Sequence, residues 1–240
     1  MEQLAHTPTT RCEGGFTLVE LMVALVVLGV VLTGVVQMFR QTGRYHTGQE
    51  MMVTTSQDLR AAKMLMVQEI REAGLNPSIA APAGIGFQTN GDDRFNTDAN
   101  SLHMTRDQFQ PDPAGSGNEV DGYDGKTDGT DEDISYYRTN DNCLGVVGAV
   151  LAAGVNTPGC LRRNTAGAGA GAPVMPNVTN LQFVYYDANN AIIPPATLTS
   201  LSKLEDIRTV EVTLTGQVEN PGAVSEPTQT LQFRILARNM

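Results

Sequence analysis

Near its start the chain reads GGFTLVELMVALVVL over residues 14–28, and the apolar run continues to about Phe39. A run of this length can cross a bilayer, which needs about 20 apolar residues. Glu20 is the one ionisable side chain in the run. A carboxylate in a membrane segment costs roughly 2.5–3.5 kcal/mol even on insertion scales, so it is normally paired or functional. The sequence therefore predicts a membrane helix in which Glu20 has a partner.

Two simpler kinds of apolar segment fit the run less well. A cleaved secretory signal has an apolar core of about 7–15 residues that ends in an Ala-x-Ala-like site, and no such site follows here. A plain membrane anchor would have no need of Glu20.

The helix is predicted to continue well beyond the membrane, because no proline occurs between Pro8 and Pro77. An apolar stripe at helical spacing is formed by Met52, Leu59, Met66, Ile70 and Ala73. Polar residues, Glu69 and Glu72 among them, are assigned to the opposite, solvated side. Gly74 followed by Pro77 marks the end of the helix.

The remainder of the chain is predicted to be β-rich. Five short segments rich in β-branched or aromatic residues are separated by turn-forming residues. They are residues 101–105, 134–138, 181–186, 209–214 and 230–236. The alternation in the later segments favours an antiparallel sheet with one face on the helix stripe and the other face in water. The Gly-Ala run at 166–172 is predicted to be a surface loop.

The string GFTLVE at residues 15–20 resembles the processing site of type IV prepilins and of type II secretion pseudopilins. The resemblance implies that a prepilin peptidase cuts between Gly15 and Phe16 and that the new amino terminus of Phe16 is methylated. It also implies that Glu20 faces the terminal amine of a neighbouring subunit in a fibre. Such a pairing would give Glu20 the partner that its position in the membrane segment requires, since a buried carboxylate and ammonium offset each other's desolvation.

The layout also resembles the pilin fold, an α+β fold in which a long N-terminal helix packs on an antiparallel sheet. The implied organisation is a leader at 1–15, a membrane half of the helix at 16–39, an amphipathic half at 40–74 and a periplasmic β-rich domain at 75–240. The chain would sit in the inner membrane as a single-pass protein and then enter a pilus fibre at the cell surface. Its partners would be other minor and major pilins, the prepilin peptidase and the inner-membrane assembly platform.

Several later strings are similar to those of PilW-type minor pilins: EIREAG at 69–74, EDISYYR at 132–138 and the closing FRILARN at 233–239. This resemblance implies a minor pilin of the initiating or tip complex of a type IV pilus. J-type pseudopilins of type II secretion share much of the pattern and are the alternative. A third interpretation is a calcium-dependent binding module that uses a pilin anchor.

Two cysteines, Cys143 and Cys160, lie in the part of the chain predicted to be exported. In an oxidising periplasm an even pair is typical of a disulfide, which for a loop of this size contributes roughly 3 kcal/mol. A pair of buried free thiols is the alternative.

The acidic segment 119–133 carries glycines that permit tight turns around a hard cation. Candidate calcium ligands are Asp121, Asp124, Asp128 and Asp131. The spacing fails the EF-hand pattern, so a solvated acidic loop is the alternative. No cofactor is required, and calcium is the one candidate.

The sequence argues against enzymatic and nucleic-acid functions. The three histidines are scattered singly, and no nucleophile-elbow, phosphate-loop or zinc-protease string occurs. The net charge of −10 disfavours binding to phosphate backbones, which depends on cationic side chains. We therefore predict neither catalysis nor a nucleic-acid partner.

Overall fold

The computed structural model describes residues 15–75, 85–89, 92, 94–107, 131–152, 154–165, 169, 171–219 and 227–239. In chain order the elements are α1 (Leu18–Glu72), β1 (Ser101–Thr105), β2 (Asp133–Thr139), β3 (Gly159–Thr165), β4 (Ala172–Tyr186), β5 (Ile192–Ile193), a 3-10 turn (Pro195–Thr197), α2 (Leu201–Leu204), β6 (Thr209–Gln217) and β7 (Thr228–Leu236).

The chain divides into two compact units, one ending at Thr47 and the other beginning at Gly48. The first unit contains the apolar part of α1, and every described side chain from Gly15 to Thr47 is exposed. The second unit contains the rest of α1 and all the strands. The predicted α+β fold, a long N-terminal helix packed on an antiparallel sheet, is confirmed.

The sheet is antiparallel throughout, with the order β1-β2-β3-β4-β6-β7, and β5 pairs with the end of β4. All five predicted segments form strands. Strand β3 and the first part of β4 were not predicted. In β3 the adjacent Arg162 and Arg163 break the apolar alternation that marks a strand, and Pro173 and Pro176 argue against one in β4. The pairing of β3 with β4 is irregular there, with two register shifts.

The buried stripe of α1 differs from the predicted one at two places. Leu59, Met66 and Ile70 are buried in the core as expected. Met52 is 43% exposed, and the predicted assignment of Glu69 to the solvated side is wrong, because that residue is buried. Thr55 and Ala62 complete the buried side of the helix.

The helix lies close to the sheet at Gly216 of β6. A Cβ atom added there would lie 2.5 Å from Met175 Cε and 3.1 Å from Thr55 Cγ2. A larger residue would therefore collide with both a strand neighbour and the helix. The small residue at this position is what lets α1 lie against the sheet.

The prediction that one face of the sheet is exposed to solvent holds for only part of the sheet. Along β7 the side chains facing away from the helix are exposed, whereas all five residues of β1 are buried. On β1 the segment before the strand covers the outward side: the ring of Phe95 packs edge-on against that of His103, with centroids 5.5 Å apart. Both faces of this part of the sheet are thus enclosed.

Candidate functional site

The start of α1 is organised by Thr17. Its Oγ1 accepts a hydrogen bond from the backbone N–H of Glu20 at 3.2 Å, and its carbonyl accepts one from the N–H of Leu21 at 3.2 Å. These are the bonds of an N-cap residue, and Thr17 and Glu20 have the spacing of a capping box. A carboxylate in the first turn also suits the positive end of the helix dipole. The Thr-x-x-Glu spacing was readable in the sequence, yet the cap was not predicted.

Gly15 and Phe16 lie immediately before the helix, in backbone without regular structure. Both are exposed, and a Cβ atom added at Gly15 would meet no atom within 4 Å. The peptide bond between them therefore lies in accessible, non-helical chain, which is the state in which a backbone can enter the active site of a peptidase.

Among the described residues of its own unit, none covers the apolar part of α1. Its large side chains, including Leu25, Val30 and Phe39, are exposed. The helix is long and apolar enough to cross a membrane. The 22 residues Leu18–Phe39 span about 33 Å, close to the ~30 Å hydrocarbon thickness of a bilayer. This surface needs lipid or the helices of other proteins around it.

Glu20 has no cationic partner along this helix. The next basic residue after it is Arg40, which at the rise of an α-helix lies about 30 Å further on. Among the described residues, no ion pair involves Glu20. Within the part of the chain that the structure describes, Glu20 is therefore a carboxylate in an apolar surface without a counter-charge.

Residues 10–36 match the family model described as the prokaryotic N-terminal methylation motif. In this segment the chain is similar to type IV pilin-like proteins. The motif implies processing by a prepilin peptidase and assembly with other pilins, and pilins are structural subunits rather than enzymes. No curated protein matches the chain.

The helix is attached to the sheet by a buried ionic cluster around Glu69, which we call the Glu69 cluster. Arg163 of β3 donates to Glu69 Oε1 from Nε at 2.9 Å and from Nη2 at 2.7 Å. The Tyr136 hydroxyl donates to Glu69 Oε2. Burial, together with the nearby Glu69 carboxylate, raises the pKa of Tyr136, so its hydroxyl stays a donor. The carboxylate is thus satisfied from two strands.

The Glu69 cluster reaches the edge of the acidic segment through Asp131, whose Oδ1 lies 2.8 Å from Arg163 Nη2. Of the candidate calcium ligands, Asp121, Asp124 and Asp128 lie outside the described residues. Asp131 is the one that the structure places, and it is paired with Arg163. Calcium binding stays a prediction.

Cys143 and Cys160 are joined by a disulfide. Beside it, Arg162 Nη2 lies 2.7 Å from Asp141 Oδ1, and Asp141 Oδ2 accepts the N–H of Gly148 at 3.0 Å. Burial alone would raise the pKa of Asp141, but the hydrogen bonds from Arg162 and the backbone outweigh it and hold that pKa below its usual range. The disulfide and this ion pair together close the segment between β2 and β3.

Proposed function

We propose that this protein is a PilW-like minor pilin that enters a type IV pilus through its N-terminal helix. The observation that carries the proposal is the exposed apolar part of α1, residues 18–39, in which Glu20 is the one carboxylate and no basic residue occurs. This segment overlaps the match to the prokaryotic N-terminal methylation motif. The short PilW-like strings in the later part of the chain support a place in the initiating or tip complex of the pilus.

The first step is cleavage between Gly15 and Phe16, followed by methylation of the Phe16 amine. The accessible, non-helical backbone at this bond supports the step. Cleavage turns Phe16 into the new terminus and creates an ammonium close to the start of the apolar helix. The leader is then residues 1–15, and residues 16–39 remain in the inner membrane with the β-rich part in the periplasm.

The second step is the exchange of lipid for neighbouring helices at the assembly platform. In the fibre, Glu20 pairs with the terminal amine of an adjacent subunit. Since a buried charge without a partner is destabilising by roughly 3–5 kcal/mol, a subunit out of register would be rejected. Glu20 thereby sets the axial position of each subunit, and the Glu69 cluster holds the sheet on the helix that is being packed.

Replacing Glu20 by alanine tests this proposal. We expect Glu20→Ala to insert into the membrane at normal levels and to be missing from sheared fibres, both measured by immunoblot. Glu50→Ala, an exposed acid further along the same helix, is the matched control and should enter fibres normally. Normal amounts of Glu20→Ala in fibres would refute the pairing role.

A J-type pseudopilin of type II secretion is the second candidate, because J-type pseudopilins share much of the sequence pattern that resembles PilW. Deletion of the gene in its host separates the two. Loss of surface pili with normal protein secretion supports the pilus, whereas accumulation of secreted proteins in the periplasm with normal piliation supports the pseudopilus.

A further inference from the structure

The sheet face that points away from the helix carries an uncharged polar surface on β4, β6 and β7. The strand register places Asn180 beside Thr215, and Thr215 beside Thr230. The next row is Gln182, Thr213 and Gln232. Six neighbouring positions thus present amides and hydroxyls and no charge.

Part of this surface lines an open cavity of about 540 Å³. Gly154 and Asn156, from the segment between β2 and β3, form one wall, and Asn180, Gln182, Thr215 and Gln217 contribute to the other. A volume of this size falls in the range of ligand pockets, about 300–1,000 Å³. The cavity is open to solvent and large enough for one or two sugar rings.

The wall at 154–157 is held in place by a buried arginine. Arg138 is almost fully buried, and its guanidinium donates to the carbonyls of Val155 at 2.6 Å and Thr157 at 2.7 Å. It also donates to the carbonyl of Val178 in β4 at 3.1 Å. The Gly154 N–H adds a bond to Asn180 Oδ1 at 3.4 Å. The wall is therefore fixed to the strand opposite before any ligand arrives, which lowers the entropy cost of binding.

The chemical character of the residues that line the cavity indicates which class of ligand it can bind. None of the described lining residues is ionisable, although the chain as a whole carries a net charge of −10. Glu211 and Arg234, on the same strands as Thr213 and Gln232, are paired with each other. A charged ligand would find no counter-charge among the described lining residues, and an apolar ligand would displace water from amide and hydroxyl groups without replacing its hydrogen bonds.

We propose that this cavity binds a neutral oligosaccharide. Sugar hydroxyls both donate and accept hydrogen bonds, and the amides of Asn and Gln and the hydroxyl of Thr do the same. Gln182 and Asn156, on opposite sides of the cavity, contact the sugar, and Asn180 holds the wall through Gly154. The inference is independent of the proposed role in pilus assembly, because it uses only the second unit of the chain.

The test uses the full chain in an amine-oxide detergent, since glucoside or maltoside headgroups would compete for the cavity. The probes are maltotetraose, cellotetraose, chitotetraose and mannotetraose as neutral sugars, and tetragalacturonate as a charged one, titrated by isothermal calorimetry. We expect saturable binding of at least one neutral probe and none of tetragalacturonate.

The double variant Asn156→Ala/Gln182→Ala should weaken that binding roughly tenfold or more, the loss expected for two or more hydrogen bonds. Gln68→Ala, an exposed glutamine on the helix, is the control and should bind as the parent does. The proposal is overturned if no neutral probe binds saturably, if the charged probe binds as well as the neutral ones, or if the double variant binds like Gln68→Ala.

Discussion

Removal of Arg163 should destabilise the second unit of the protein more than the removal of any exposed charge. The Glu69 side chain is only 5% exposed and that of Arg163 18%. Arg163→Ala leaves the carboxylate buried with the Tyr136 hydroxyl as its remaining strong donor. Breaking a buried pair in this way costs about 3–5 kcal/mol. For a unit of this size each kcal/mol lowers Tm by roughly 2–4 °C, so we expect a decrease of roughly 6–20 °C.

The assay is thermal unfolding of the full chain in detergent, followed by near-ultraviolet circular dichroism of the tyrosines, since the protein has no tryptophan. Lys203→Ala is the matched control. Its ion pair with Asp206 is about half exposed on both sides, and pairs of that kind contribute about 0–1 kcal/mol.

A double variant separates loss of the ion pair from loss of packing. Glu69→Leu combined with Arg163→Met removes both charges and keeps apolar volume, so it should recover part of the lost stability. The remainder is the cost of the buried Tyr136 hydroxyl, which loses its acceptor. An Arg163→Ala variant as stable as Lys203→Ala would refute the argument that this pair fastens the helix to the sheet.

Three further outcomes follow from the second unit. Gly216→Val should lower the free energy of unfolding by about 1–3 kcal/mol, because its side chain would collide with Thr55 and Met175. Gly145→Val is the control and should leave Tm unchanged, because a Cβ atom at Gly145 meets no atom within 4 Å. Equal Tm values for the two variants would contradict the close approach of helix and sheet. Reduction of the Cys143–Cys160 disulfide should lower the free energy of unfolding by roughly 3 kcal/mol, measured by urea unfolding with and without reductant, and no difference would argue against the bond. Because the pKa of Asp141 is lowered in the folded state, its contribution is complete above the ordinary aspartate pKa of about 3.9 and is lost as pH falls below it. When the pH is lowered from neutral to acid, the free energy of unfolding of Asp141→Asn should therefore decrease less than that of the parent protein. Parallel decreases in the two proteins would contradict this.

Much of the fold was predictable because its main signals are local. The apolar run after Gly15 and the alternation in segments such as 209–214 specify helix and strand without reference to distant residues. The end of α1 at Glu72, just before Gly74, also followed from a local signal.

What the sequence did not predict depends on contacts between distant residues. Glu69 is polar, so its position on the helix indicated a solvated side. It is buried because Arg163, 94 residues away, supplies its counter-charge. The same arginine obscured β3, since a strand with two adjacent arginines resembles a loop. The uncharged cavity likewise forms only when β4, β6 and the segment before β3 come together, and no single stretch of sequence marks it.

The most direct test of the central claim is mass spectrometry of the mature amino terminus, on protein taken from membranes and fibres of its host. We predict a chain that begins at Phe16 and carries one methyl group on its terminal amine. A chain in the fibre that still begins at Met1, or one that is cut at a site other than Gly15–Phe16, would contradict the account.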